Sequence, residues 1–256
     1  MKVITVINDT NDFGFNLLRL SCALNGLRLI VLVSGENFDT NRIKDELLED
    51  YLSETNDEEI VLFTDGNDAV FMSQENEILQ KFKNMNSDLV FSTEMTCWPD
   101  TSLAEKHPHI SVSPYKYLNS GGFIGKAGCI KQQLKDIDYE TSNYKRSNQY
   151  IWMQRYFKNS DKISLDTNCE IFSTFTPKEN FPDSTQHYPQ YFAIIDEWFY
   201  TNFITDNSRI FNKTTGTWPC HIHLNGFSKT LISRYIADLV YEKTPSGKNV
   251  QFFYAE

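Results

Sequence analysis

A chain of 256 residues with 40% hydrophobic and 14% aromatic content can bury one large core, and a single domain over 1–256 is its simplest organisation. A formal charge of -10 excludes a nucleic-acid binder, which needs clustered Lys and Arg, and means that an anionic nucleotide would need a metal ion to be held. No stretch approaches the roughly 20 apolar residues of a membrane span, and the opening Met1 to Asp9 turns polar too early for a signal peptide, so a soluble, cytoplasmic-type chain is expected.

Val3 to Ile7 reads as a first strand. Asp12 to Asn25 follows as a helix with Leu17, Leu20, Ser21 and Leu24 on one face, ending at Gly26. Leu29 to Val33 is a second strand, and Ile43, Leu47, Leu48, Tyr51 and Leu52 form a helical stripe. Ile60 to Phe63 is a buried strand that runs into Thr64-Asp65-Gly66-Asn67-Asp68. A helix carrying Ile78, Leu79 and Phe82 and a strand from Asp88 to Ser92 complete an alternation that predicts a mostly parallel sheet covered on both sides. No GxGxxG follows the first strand and no GxxxxGK[ST] occurs, which excludes a Rossmann dehydrogenase and a P-loop NTPase. The second half is less regular and reads as loops laid over the sheet, with a proline-marked flap over Asn180 to Gln190 and a helix from about Ser228 to Tyr241 before a terminal turn. The five cysteines, Cys22, Cys97, Cys129, Cys169 and Cys220, form no CxxC pair and suit a reducing compartment.

Three segments carry chemistry. Asp65 and Asp68 stand at a strand tip, where open α/β sheets place ligands, and close carboxylates repel unless a cation lies between them. They read as a Mg²⁺ or Mn²⁺ and phosphate site, or as acids that cap the next element. In Trp218 to Lys229, His221 and His223 share one strand face and either is a potential ligand or a half-buried core histidine; Asn225-Gly226 then opens a helix start near Lys229 that suits phosphate. In Leu118 to Gly125 (LNSGGFIG), glycines let backbone approach a bulky ligand while Asn119 and Ser120 bond hydroxyls, or they mark a bulge.

Together, Phe63-Thr64-Asp65-Gly66-Asn67-Asp68, Cys97-Trp98-Pro99-Asp100 with Leu103-Ala104-Glu105, LNSGGFIG, Cys169-Glu170-Ile171-Phe172 and His223-Leu224-Asn225-Gly226 with Lys229 resemble one family. It is the glycosyltransferase domain of the multifunctional procollagen lysyl hydroxylases and related collagen glycosyltransferases, and the resemblance runs from about Lys2 to Tyr241. It implies an α/β GT-A fold with a nucleotide-sugar half (1–125) and an acceptor and metal-completing half (126–256). It implies Asp65, Asp68 and His223 as ligands of Mn²⁺ or Mg²⁺, and Asn225, Gly226 and Lys229 on the diphosphate of UDP-glucose. Val6, Ile7, Asn8 and Asn67 would hold the nucleoside and Gly121 and Gly122 the donor, with Trp98, Asp100 and Asn119 around the reacting sugar. The implied reaction moves glucose, with retention, to galactosylhydroxylysine of a collagen-like acceptor; relatives act in the secretory pathway, and a homodimer is possible. The hydroxylase module that follows this domain in lysyl hydroxylases is not expected here.

Departures from the family pattern set further expectations. Gly66-Asn67 stands where the family has an aromatic between its acids, and Ser34 to Thr40 is a shortened donor loop. The family's acidic run appears as Arg146-Ser147-Asn148, so Asp100 becomes the candidate acid. A transferase with another UDP-sugar or glycan acceptor, and a non-catalytic binder of UDP-sugar or glycoprotein, are the alternatives.

Overall fold

Runs of Val, Ile, Leu and Phe with both faces apolar form the inner strands of one central sheet. The computed structural model describes residues 1–35, 40–108, 113–135, 137, 144–175 and 189–244. In chain order it comprises β1 (Lys2–Ile7), α1 (Phe13–Leu24), β2 (Leu29–Val33), α2 (Arg42–Ser53), β3 (Ile60–Asp65), β4 (Ala69–Phe71), α3 (Glu75–Asn84), β5 (Leu89–Glu94) and a 3-10 helix over Thr101–Lys106. Then come β6 (Tyr117–Lys126), α4 (Ala127–Leu134), α5 (Asn148–Lys158), β7 (Ser164–Leu165), β8 (Phe172–Thr174), α6 (Pro189–Asn202), β9 (Phe203–Asp206) and β10 (Arg209–Asn212). β11 (His221–His223), a 3-10 helix over Gly226–Leu231, α7 (Ile232–Tyr235) and α8 (Ala237–Glu242) complete it.

The sheet order is β2-β1-β3-β6-β5-β7. β6 lies antiparallel to both β3 and β5, whereas β1 pairs in parallel with β2 and β3, and β5 in parallel with β7. β6 therefore starts at the edge where the other strands end. The ends of β1, β3 and β5 and the beginning of β6 converge there, which puts Val6 to Asn8, Asp65, Glu94 and Asn119 on one rim.

LNSGGFIG is thus part of a central strand. Its pairing with β5 shifts from Phe91–Phe123 to Ser92–Asn119, a bulge that frees Ser120 to Gly122 from that partner. Apolar clusters cover the sheet on both faces, one around Phe63, Phe91, Phe123 and Trp152 and the other around Phe15, Leu62, Ile124 and Phe172. A small sheet, β4-β11-β8, sits beside them with its own cluster against α1, α6 and the C-terminal helices. Its register pairs His223 with Ala69, the residue after Asp68, and so carries a distant histidine to the acids.

Several expectations change. The helix expected from about Ser228 to Tyr241 is a 3-10 turn and two short helices, broken at Ile236, where φ is -112° and the side chain is buried. The strand expected to end at Ser92 continues to Glu94. Most of the shortened loop (36–39), most of the proline-marked flap (176–188) and the terminal turn (245–256) lie outside the described residues. No helix among the described residues is long and apolar enough to cross a membrane.

Gly14 opens α1, where an added Cβ would lie 1.7 Å from the Asn67 carbonyl oxygen. Helix propensity favours alanine by ~1 kcal/mol, but that oxygen belongs to backbone and cannot rotate away. Gly14→Ala is expected to destabilise the fold by about 1–3 kcal/mol net, read as a lowered denaturation midpoint with unchanged m-value.

Candidate active site

Asp65 ends β3 and Asp68 precedes β4, so the Gly66-Asn67 turn folds both carboxylates toward the same rim. The closest oxygens of these acids and a ring nitrogen of His223 all lie within 4.8 Å of one another, the one group of this kind among the described residues. His223 Nε2 is 3.6 Å from Asp65 Oδ2 and 3.4 Å from Asp68 Oδ1. Its other nitrogen, Nδ1, is 3.2 Å from Asn119 Oδ1, which fixes the ring's orientation. The buried His223 Nε2 and Asp68 Oδ1 face each other without an aligned hydrogen bond. Asp68 Oδ1 and His223 Nε2, buried and without a hydrogen-bond partner, together with Asp65 Oδ2 fit a divalent ion such as Mn²⁺ or Mg²⁺.

The outer oxygens are taken by lysines. Lys44 Nζ on α2 lies 2.6 Å from Asp65 Oδ1, and Lys229 Nζ lies 2.8 Å from Asp68 Oδ2. Burial alone would raise the Asp68 carboxyl, but His223 and Lys229 outweigh it and hold Asp68 well below the usual carboxylate range. Burial likewise pushes the His223 imidazole down, and Asp68 and Asp65 more than reverse this. The cluster packs so tightly because Gly121 in β6 has no side chain: a Cβ there would meet His223 Cε1 at 2.1 Å.

His221 answers the other half of the HxH question. Its Nε2 is 2.7 Å from Thr64 Oγ1, its ring packs edge-on against Phe71 and Phe172, and burial pushes its pKa down to about 3. It is a neutral core residue. Gly122 also belongs to the core: the space of its missing side chain is filled by the Phe172 ring at 2.9 Å. The absent side chain of Gly122 makes room for protein, whereas that of Gly121 makes room for His223.

Beside the cluster a cavity of about 450 Å³ runs between Trp98, Asn119, Gly121, Gln149, His223 and Asn225. Trp98 is 64% exposed at its mouth and is not part of the core. Asp100 does not line it. The Asp100 carboxylate accepts hydrogen bonds from the Ser102 N–H (3.0 Å) and Oγ (2.6 Å), capping a 3-10 helix.

The acid in the wall is Glu94. Gln149 Nε2 (2.6 Å) and Asn119 Nδ2 (3.2 Å) donate to its Oε1, and Asn225 Nδ2 (2.8 Å) donates to Oε2. Burial pushes its pKa up to about 7, against the pull of these amides. A signal for Glu94 existed in the sequence: Leu89 to Glu94 (LVFSTE) repeats the form of Ile60 to Asp65 (IVLFTD), an apolar run ending in threonine and an acid. Ser147 caps α5 at the Tyr150 N–H (3.3 Å), and the Ser120 Oγ donates to Asn148 Oδ1 (3.3 Å), so neutral groups stand where an acidic run was sought.

A smaller hollow adjoins the cluster on its other side, between Val6, Ile7, Asn8, Gly66 and Asn67. Asn225, Gly226 and Lys229 line the larger cavity. The element they open is a six-residue 3-10 turn, so the positive charge comes from Lys229 more than from a helix dipole. A wider groove of about 1020 Å³, near Asp57, Lys83, Asp88 and Lys162, brings together no comparable cluster.

The sequence pattern of the PLOD GT domain matches residues 1–245. This chain belongs to that family. It is 31% identical over 205 residues to the multifunctional procollagen lysine hydroxylase and glycosyltransferase LH3 of Rattus norvegicus, covering 78% of this chain and 24% of that protein. It is 27% identical over 238 residues to the uncharacterized protein R699 of Acanthamoeba polyphaga mimivirus, covering 89% and 46%. Procollagen-lysine,2-oxoglutarate 5-dioxygenase 2 of Homo sapiens is 28% identical over 252 residues, covering 92% and 31%. The PLOD GT chain thus spans less than half the length of these relatives. Its fold is that of the galactosyltransferase LgtC, with a TM-score of 0.55 at 11% identity over 97% of this chain and 98% of that one, so the domain is a GT-A glycosyltransferase of the PLOD GT family.

Glu94 and His223 both bind protons more tightly in the folded chain than in the unfolded one. Their contribution is full below the unfolded values and lost as pH rises, for Glu94 through about 7. In chelator, the Glu94 contribution is expected to favour the folded chain at about pH 5.5 and to be lost by about pH 8, while buried neutral His221, whose pKa is depressed, works in the opposite sense as pH falls. Glu94→Gln should flatten part of this dependence in calorimetric scans across the range.

Proposed function

We propose that this chain is a metal-dependent glycosyltransferase that moves glucose from UDP-glucose to galactosylhydroxylysine of a collagen-like protein, with retention at the anomeric carbon. The observation that carries the proposal is the convergence of Asp65, Asp68 and His223 between two cavities, one ending at β1 and the other opening at Trp98. The donor and acceptor rest on family membership and on the similarity to LH3, whose name includes both hydroxylase and glycosyltransferase.

Asp65, Asp68 and His223 would hold Mn²⁺ or Mg²⁺, which supplies Lewis-acid charge to the departing diphosphate. The strand end Val6 to Asn8 with Asn67 would hold the nucleoside through backbone and amide groups, in place of an aromatic. Lys229, which lines both cavities, would share the diphosphate charge as the leaving group forms. On the sugar side, Asn119, Gln149 and Asn225 present amides to hydroxyls, and the ionised form of Glu94 would stabilise positive charge developing on the ring. Trp98 offers a flat apolar face for a sugar at the mouth. Front-side attack within an ion pair suits this wall, since no carboxylate other than Glu94 lines its sugar side among the described residues.

A second acceptor class is favoured by one observation. Ser147 and Asn148 line the cavity where the family's acidic run is expected, so the acceptor would be positioned by neutral groups. A different glycan on the same scaffold fits that chemistry.

Incubation with a panel of UDP-sugars, Mn²⁺ and galactosylated collagen, followed by mass analysis of hydroxylysine peptides, is expected to show a hexose gain from UDP-glucose. Asp68→Ala and His223→Ala should each lower transfer by about two orders of magnitude, and EDTA should do so reversibly. Full turnover in chelator would overturn the metal assignment.

The acceptor-side residues divide differently. Glu94→Gln is expected to slow transfer by about 100-fold with little change in UDP affinity, because its charge acts on the transition state. Asp100→Asn should stay within about twofold, as a capping change at an exposed turn. Trp98→Ala should reduce transfer to collagen more than hydrolysis of UDP-glucose, which needs no ordered acceptor. Parallel transfer and hydrolysis assays compare the three.

A further inference from the structure

The two cavities meet along a ridge. Five residues line both of them: Asn41, Lys44, Asp65, Asp68 and Lys229. Lys229 belongs to a motif already tied to the diphosphate, whereas Lys44 lies in a helix that no motif marked. Its ammonium approaches from α2 and contacts Asp65 Oδ1 at 2.6 Å, while Asp65 Oδ2 lies 3.6 Å from His223 Nε2. Each acid is thus divided in the same way, with one oxygen facing His223 and one held by a lysine.

Charge on the ridge decides what the second lysine is for. Asp65 and Asp68 bring two negative charges and Lys44 and Lys229 two positive ones, so the protein alone is balanced there. A divalent cation held by the acids leaves an excess of two positive charges, with His223 neutral as a ligand. The two ionised phosphates of a nucleotide sugar match that excess; without Lys44 one charge of the diphosphate would go unmatched. The match matters in a chain with a net charge of -10, whose remaining surface repels a polyanion.

We infer that Lys44 is a second diphosphate-binding cation, which orients Asp65 and contacts the donor's phosphates from α2 as Lys229 does from the turn after β11. This rests on the UDP-sugar function proposed above. A nucleoside in the smaller hollow and a sugar in the larger cavity are joined by the diphosphate, which must cross the ridge where Lys44 and Lys229 stand. An ammonium on a flexible stem can keep one N–H on Asp65 and give another to a phosphate oxygen, because it carries three donors.

The test is isothermal titration of UDP and of uridine into the unsubstituted chain, Lys44→Met and Lys44→Arg, with Mn²⁺ at saturation for each protein. Lys44→Met is expected to weaken UDP by about tenfold or more and to leave uridine unchanged, with Lys44→Arg recovering most of the loss. Melting in chelator identifies any variant that fails to fold, and Lys44→Arg retains the charge should Lys44→Met be unstable. UDP affinity unchanged in Lys44→Met at saturating Mn²⁺ would make Lys44 a support of Asp65 only and overturn the inference. Failure of the unsubstituted chain to bind UDP would overturn the donor assignment itself, and this inference with it.

Discussion

Two carboxylates held close together, one of them fully buried, repel each other, and burying either without compensation costs several kcal/mol. The rest of the rim answers that constraint. β11 pairs beside β4 to bring His223 over both acids, and Lys229 reaches Asp68 from the turn that follows. Lys44 reaches Asp65 from α2. Gly121 clears the space in which these groups meet, so a residue with no side chain is as necessary to the cluster as its charged members.

The cavity beyond the cluster follows a different principle. Its sugar-side wall is built from amides around one buried carboxylate, with Asn119, Gln149 and Asn225 all donating to Glu94. The network continues away from the cavity: Ser120 bonds Asn148, and the Asn148 amide and the Trp152 N–H both donate to buried Asp45. Buried polar networks of this kind hold their members in fixed orientations when every bond is made. Charge is concentrated on the side where a diphosphate would lie, and oriented neutral dipoles on the side where hydroxyls would lie.

Membership in the PLOD GT family covers residues 1–245, nearly all of the chain, while the relatives extend well beyond the matched region. The shared unit is therefore the GT-A domain, and its fold persists in LgtC at 11% identity.

The strand-helix alternation of the first half, the acid-tipped strand and the three metal-site candidates were legible in the sequence, because local patterns report them: an apolar run ending in acids, alternation of His221 and His223, and a specific set of family motifs. Pairing partners were not legible. β6 enters between β3 and β5 in reverse, which makes LNSGGFIG a central strand and makes Gly121 a neighbour of His223 and Gly122 a neighbour of Phe172. Alternation by itself left His221 and His223 equal, and only the family motif named His223; the folded chain shows the His221 ring engaged by Thr64. Asp100 and Glu94 exchanged places as candidates because only the folded chain shows that Asp100 is spent on a capping bond and that Glu94 is buried in the cavity wall by residues distant in the chain. The sequence alone determined which residue types are present to bind a cation and a nucleotide sugar, since those are matters of chemistry and local pattern; only the tertiary structure decided which of them meet, because proximity across β3, β6 and β11 arises from strand pairing that no local pattern encodes.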